Sequence, residues 1–198
     1  MELILILASY LLGCLATGYY LVRFRTGQDI RQLGSGSTGG TNVGRVLGRS
    51  GFALTLLGDL AKGMLAPWGA LHLGFTPDRI VFVVLAVVMG HIFPIQLGFH
   101  GGKGLATALG ASLVFDYRLP IVVGALAGLV GFLSKQRTLG LLSVIAAAPV
   151  IAALMGHTLI ATLGLALAAL LILIAHRTNI QIALEHIRRQ RHTSRSIL

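Results

Sequence analysis

The chain has 198 residues, of which 55% are hydrophobic and only 11% charged, and its mean hydropathy is +0.85. A soluble domain carries roughly a quarter charged residues, so a water-soluble globule is excluded for want of polar surface, and a bilayer is the solvent that fits. The net charge of +10 would suggest nucleic acid in a soluble protein, but the basic residues lie between and after the apolar runs, as they do in membrane proteins.

The predicted fold class is therefore all-α: a polytopic membrane protein with seven transmembrane helices and polar cytosolic loops, forming one integral membrane domain over 1–198. The helices are expected at about 3–22, 51–73, 80–97, 104–115, 119–133, 139–155 and 158–175, followed by a basic cytosolic tail over 176–198. Leu12-Gly13-Cys14 in the first run has the look of a lipoprotein cleavage box, but no basic stretch precedes it and the apolar run continues through Leu21, as an anchor would. Cys14 is the one cysteine, so no intrachain disulfide can form. The fourth run is short and rich in small residues, and the boundary between the last two rests on Gly156 and His157 alone. Thirteen of the sixteen basic residues fall on one set of alternate loops: Arg23, Arg25, Arg31, Arg45 and Arg49, then Lys103, then Lys135 and Arg137, and finally the tail from Arg177 to Arg195. Arg79 and Arg118 lie on the opposite side, and Lys62 is within a span. Basic residues favour the cytosolic face, which orients the amino terminus outside and the carboxyl terminus in the cytosol. The many glycines within spans let helix backbones approach closely.

Four polar clusters interrupt this apolar background. The first runs from Gly34 through Ser35, Gly36, Ser37, Thr38, Gly39, Gly40, Thr41, Asn42 and Gly44 to Arg45. Glycines permit backbone N–H groups to converge on an anion; Ser35, Thr41 and Asn42 add side-chain donors, and Arg45 adds a forked cation suited to phosphate. A flexible linker has the same composition. Gly34-x-Gly36-x-x-Gly39 has the spacing of a dinucleotide fingerprint, but no buried strand precedes it, and the P-loop lysine is missing. The second cluster, Asp59-Leu60-Ala61-Lys62-Gly63, sits inside a span, where the two charges stand one helical turn apart. They form either a structural ion pair or a brace in which Lys62 holds a phosphate and Asp59 positions it. The third runs from His91 and Pro94 to Gly101-Gly102-Lys103-Gly104 and on to Thr107, with a diglycine and a lysine at a helix start, where N–H donors and a positive dipole end coincide. His91 alone reads equally as an interior histidine. The fourth, His176-Arg177-Thr178-Asn179, closes the last span, with His176 and Asn179 on one helical turn; the basic segment after it suits anionic lipid.

Taken together and in order, Gly34-Ser35-Gly36 through Thr41-Asn42 and Arg45, then Asp59-x-x-Lys62-Gly63, then Gly90-His91 and Pro94 leading to Gly101-Gly102-Lys103-Gly104-x-Ala106-Thr107, and finally His176-x-x-Asn179 resemble the bacterial membrane-integral glycerol-3-phosphate acyltransferases that use acyl phosphate as donor. The resemblance covers most of the chain. It implies a seven-helix protein of the bacterial cytoplasmic membrane that acylates glycerol 3-phosphate to lysophosphatidic acid and releases phosphate, without metal, nucleotide or other cofactor and without a nucleic-acid partner. It implies Ser35, Arg45, Lys103, His176 and Asn179 as catalytic residues. Gly34, Gly36, Thr41, Asn42, Lys62, Gly101, Gly102, Gly104 and Thr107 are expected to bind substrate phosphate, with Asp59 and His91 as structural support. Ser35 is either a nucleophile or a phosphate ligand; no base stands beside it in sequence, which favours the ligand. Ser37-Thr38 stands where the family usually has Asn-Pro, Gly40 where it has Ala, Gly44 where it has Leu, and His100 where it has lysine. Its Tyr-Val-Ser-Leu-Gly-Ser stretch is reduced to Thr138-Leu139-Gly140. A paralogue acting on another phosphorylated acceptor, and an anion transporter or channel built from the same glycine loops, are the competing readings; no internal repeat of the transporter kind is visible.

Overall fold

The computed structural model describes residues 1–134 and 136–195, with side chains through Arg189. Lys135 and residues 196–198 of the expected tail lie outside the described residues, as do the side chains of Arg191 and Arg195. The described residues are helical and form no strand: α1 Glu2–Cys14, α2 Thr17–Thr26, α3 Gly40–His72, α4 Pro77–Ile92, α5 Leu105–Phe115, α6 Arg118–Leu133, α7 Arg137–Leu154, α8 Leu159–Ala175 and α9 Arg177–Arg195.

Helix α4 is the centre of the bundle. Proline at its first position is compatible with a helix start, and a run of β-branched residues follows in which Ile80, Val81, Val83, Val84, Val87 and Val88 are all buried. Around it pack α1, α3, α5 and α8. The α1–α4 crossing is a backbone-to-backbone approach: a Cβ on Gly13 would stand 2.2 Å from the Val87 carbonyl oxygen, and one on Gly90 would stand 2.0 Å from that of Tyr10. Helices α3 and α5 cross in the same way through Gly63 and Gly110.

The expected first helix over 3–22 is two helices. Leu15 and Ala16 leave the helical region between α1 and α2. The carbonyls released there are claimed by side chains: Gln96 Nε2 donates to Cys14 O at 2.5 Å, and Lys62 Nζ donates to Leu15 O at 2.7 Å. Unsatisfied backbone groups are costly away from water, so the break and these two side chains belong together. Helix α3 has 33 residues and turns at Gly48, whose φ of 72° is accessible to glycine without strain. Its amino-terminal piece carries Thr41 and Arg45, and its longer piece carries Asp59 and Lys62 into the bundle.

By length and composition, three stretches suffice to cross a membrane: Glu2–Thr26 taken across its break, Pro77–Leu97 and Arg137–Leu154. The pair Leu159–Ala175 and Arg177–Arg189, bent by 62°, makes a fourth if counted as one span. The expected seven spans are therefore not reached on this measure. Helices α5 and α6 are apolar but short, and α3 is diluted by Arg45, Arg49, Asp59 and Lys62. Large apolar side chains such as Leu3, Ile4, Leu7 and Leu11 stand outward along α1, a pattern suited to lipid and not to water.

One end of the bundle is tied by polar pairs. Asp116 pairs with Arg118 at 2.7 Å and lies 3.2 Å from His157 Nε2, whose ring stacks on Phe115. Thr158 caps α8 and donates to Asp78, and Arg79 lies 3.8 Å from Glu2. The opposite end carries the loops that precede α3, α5 and α9.

Candidate active site

The 34–39 loop is organised around one amide. Asn42, buried in the first turn of α3, accepts the Ser35 N–H at 2.9 Å through Oδ1 and donates through Nδ2 to the carbonyls of Leu33 and Ser37, each at 2.9 Å. Gly34 and Gly36 have φ of 56° and 71°, and a Cβ on Gly34 would collide with Asn42 Oδ1. Arg31 fixes the approach to this loop: its guanidinium pairs with Asp29 at 2.6 Å, donates to Leu97 O at 2.7 Å and lies over the Tyr19 ring. Where the chain enters α3, Gly39, Gly40 and Thr41 line a cavity, and Arg45, one turn on from Thr41, lines it too. The unsatisfied N–H groups of a helix start and a guanidinium one turn along make an anion site.

The diglycine segment packs against the end of α4. Gly101 N–H donates to Ile92 O at 3.1 Å and Gly102 N–H to His91 O at 3.0 Å. A Cβ on Gly101 would stand 2.2 Å from the His91 carbonyl oxygen, and one on Gly102 would stand 2.0 Å from His91 Nε2. Thr38 N–H donates to Gly101 O at 3.3 Å and joins the two glycine loops directly. The chain then turns through Gly104, with φ of 85°, into α5. Lys103, Gly104, Leu105 and Ala106 line the same cavity, at the start of α5.

At the far end of α8 the 62° bend falls at His176. The His176 ring is buried, with Nδ1 2.8 Å from Ile172 O. A carbonyl only accepts, so Nδ1 carries the proton and Nε2 is left with the lone pair. Burial chiefly holds this imidazole below the ordinary histidine range; the Ile172 carbonyl opposes the shift and the Lys103 charge adds to it. One turn into α9, Asn179 Oδ1 accepts from Lys103 Nζ at 2.5 Å. Burial, and secondarily the charge of Arg45, lowers the Lys103 ammonium below its ordinary value.

Ser35, Arg45, Lys103, His176 and Asn179 thus line one cavity of about 1220 Å³. Gly34, Thr41, Asn42 and Gly104 line it as well, as do Asp59 and His91. The structure departs from the expected ligand set at five positions. Lys62 does not line the cavity: its ammonium lies 2.9 Å from Asp59 and donates to Leu15 O, so it closes a helix break. Gly101 and Gly102 also stand outside the lining, with both N–H groups engaged by α4 immediately before Lys103. Thr107 is buried, and its backbone carbonyl meets Gly63 at the α3–α5 crossing. Gly36 shapes its loop without lining the cavity. Asn42 does line it, but its amide is occupied in holding the loop.

Sequence reasoning missed Ser37, Gln136, Thr138, Glu185, His186 and Arg189, all of which line the cavity. The last three share a face of α9 with Asn179, standing six, seven and ten residues beyond it, a helical spacing that was a usable signal. Below the polar mouth the walls are mostly apolar and come from α3 to α8, with Asp59 and His91 as polar exceptions on α3 and α4.

Residues 3–186 match the family model described as glycerol-3-phosphate acyltransferase. The chain is similar to glycerol-3-phosphate acyltransferase 1 of Desulfitobacterium hafniense (strain Y51), 46% identical over 183 residues that cover 91% of this chain and 89% of the relative. It is 42% identical to glycerol-3-phosphate acyltransferase of Geobacter sulfurreducens, over 91% of this chain and 92% of that one. Two crystal structures of PlsY (YgiH), an integral membrane glycerol 3-phosphate acyltransferase, superpose on it. The glycerol 3-phosphate form gives a TM-score of 0.85 at 29% identity, and the lysophosphatidic acid form 0.81 at 28%; each comparison covers 93% of this chain and 92% of the other. A family match that spans nearly the whole chain, together with a shared all-helical fold, establishes that this protein belongs to the membrane glycerol-3-phosphate acyltransferase family of PlsY.

Proposed function

We propose that this protein transfers a fatty acyl group from acyl phosphate to glycerol 3-phosphate, forming lysophosphatidic acid and inorganic phosphate at the cytosolic face of the bacterial inner membrane. The observation that carries this reading is the convergence of Arg45, Lys103, two helix starts and Ser35 on one cavity whose deeper part is apolar. Two phosphorylated substrates need cations and N–H donors; a fatty acyl chain needs an apolar recess.

In this reading a hydroxyl of glycerol 3-phosphate attacks the carbonyl carbon of the donor. A new C–O ester bond forms, the anhydride C–O bond breaks, and phosphate leaves with the bonding electron pair. The hydroxyl proton passes to phosphate oxygen, either on the acceptor or on the leaving group. Acyl phosphate is already activated, so catalysis rests on positioning two anions and stabilising the charge that develops. Lys103 and the start of α5 hold the leaving phosphate, while Arg45, Thr41 and the start of α3 hold the acceptor's. Asn179 orients the Lys103 ammonium, and His176, neutral with its lone pair on Nε2, accepts a hydrogen bond from the acceptor. Ser35 acts as a phosphate ligand through its hydroxyl. The seven-pass topology with an outside amino terminus remains part of this proposal, supported by the thirteen basic residues on one set of loops.

The test is to incubate purified protein in detergent with acyl phosphate and glycerol 3-phosphate and to follow phosphate release. Release that depends on the acceptor and yields lysophosphatidic acid supports the reading. Anion flux in liposomes without turnover would replace it with a transporter, and recovery of a peptide acylated at Ser35 would overturn the ligand role.

A further inference from the structure

The cavity does not stop at the polar residues. It continues along α8 from His176 as far as Leu165, and on α6 it reaches Leu119. Eleven residues of helix at about 1.5 Å each make a depth of about 16 Å, close to half of the roughly 30 Å hydrocarbon thickness of a bilayer. That is the room one leaflet's acyl chain occupies. Over this depth the polar side chain on α5 is Ser112, whose hydroxyl already donates to Ala108 O at 2.6 Å; the Asp59 and His91 side chains that also line the cavity lie 3.5 Å apart and face each other, and the remaining walls are apolar. At its far end Leu119 and Leu165 are buried in a compact cluster with Val81 and Ala152. Directly behind them stands the polar clasp of Asp116, Arg118 and His157, and Leu119 N–H donates to the Asp116 carbonyl at 3.1 Å. An apolar chain entering from the phosphate end meets packed leucines backed by charge.

We propose that Leu119 and Leu165 form the floor of an acyl-chain ruler that sets the longest fatty acyl group the protein transfers. The proposal rests on the acyl-transfer reading above and adds the residues that decide which acyl groups serve. A chain that ends short of the floor fits the recess without displacing protein atoms. Beyond that, the terminal carbons must displace closely packed leucines, fold back, or turn aside past Leu56 and Leu109, which line the cavity and are exposed, and each course departs from the straight path that shorter chains take.

Gly124 provides a way to raise the floor. It lines the wall on α6, and a Cβ added there meets no atom within 4 Å, so Gly124→Leu fills the recess without disturbing the helix contacts. Leu165→Ala lowers the floor by removing apolar volume. The experiment offers a graded series of saturated acyl phosphates, competing in one mixture with glycerol 3-phosphate, to the purified native protein and to each variant; the lysophosphatidic acids formed are resolved by mass. A ratio of products within one mixture does not depend on how much folded protein each preparation holds. Gly124→Leu should lower the long-to-short product ratio by at least about tenfold, the discrimination that a methylene or two commands in an apolar pocket, and Leu165→Ala should raise it. The substitutions act in opposite directions, so either alone decides the question. An unchanged or oppositely shifted ratio overturns the ruler while leaving acyl transfer standing. Absence of transfer by the native protein from every donor overturns the acyl-transfer reading, and the ruler with it.

Discussion

The helix crossing around Lys62 and the cavity around Lys103 give the same side chain opposite company. Lys62 is buried, 2.9 Å from Asp59, and donates to a backbone carbonyl released by a helix break. His91 Nδ1 stands 3.5 Å from the same carboxylate. Lys103 meets an amide oxygen, and among the described residues neither it nor Arg45 forms an ion pair. A cation whose charge is answered within the protein suits a structural role; cations at helix starts with no carboxylate paired to them suit the anion-binding role proposed for Lys103 and Arg45. At the opposite end of the bundle, Asp116 and Glu2 each have a basic partner, and no reaction is suggested there.

The largest effect should come from splitting the structural pair. Asp59→Ala leaves a buried, uncompensated ammonium and should cost about 3–5 kcal/mol of stability, read as a lowered unfolding temperature in detergent; adding Lys62→Met should recover most of it. If Lys103 behaved like Lys62, its removal would also unfold the protein. Lys103→Ala should instead lower kcat by about 10²–10³-fold, the usual cost of one electrostatic donor, with the unfolding temperature unchanged. Gly102→Ala tests how Lys103 is placed. The new methyl must push away from the buried His91 ring, and a displacement of about 1 Å at the group it places can cost on the order of 10²-fold in rate, together with about 1–3 kcal/mol of stability from the overpacking. The pH profile sharpens the contrast further. The proposed mechanism needs the ammonium form of Lys103, and its pKa is depressed in the free protein by burial and Arg45. Activity should therefore fall on the alkaline side, starting below the ordinary lysine range. A bound anion favours the charged form, so kcat should fall at higher pH than kcat/KM. The smallest effect should be that of Glu2→Ala, which removes the partner of Arg79; an exposed pair of this kind is worth under about 1 kcal/mol, and transfer rates should not move.

Much of this contrast was legible in the chain. The clusters at 34–45, 101–104 and 176–179 stand out because charge and glycine are rare in so apolar a sequence, and all three reach one cavity. What could not be read was which polar groups were already engaged. Gly101 and Gly102 have the composition of anion donors, but whether their N–H groups face a ligand or the end of α4 depends on a packing that residue identity does not encode. Lys62 is ambiguous for the same reason. The two readings offered for it differ only in whether Asp59 is its sole companion, and the deciding partner is the carbonyl of Leu15, which has no side-chain signature. The break at Leu15–Ala16 carries no glycine or proline of its own, so an unbroken helix was the natural reading. The α9 contribution was overlooked because the basic segment that holds Glu185, His186 and Arg189 reads as a surface for anionic lipid, whereas these three residues line the cavity beyond the bend at His176.

That break at Leu15–Ala16 has a consequence for biogenesis. This segment leaves the ribosome before Lys62 and Gln96 do, yet its Cys14 carbonyl takes its donor from Gln96, and its Leu15 carbonyl, reached by the Thr17 N–H at 3.0 Å, takes a second donor from Lys62. In hydrocarbon those oxygens have no water to fall back on. A segment synthesised before its partners is therefore completed after them: these bonds form only once the chain past residue 96 is in place against it.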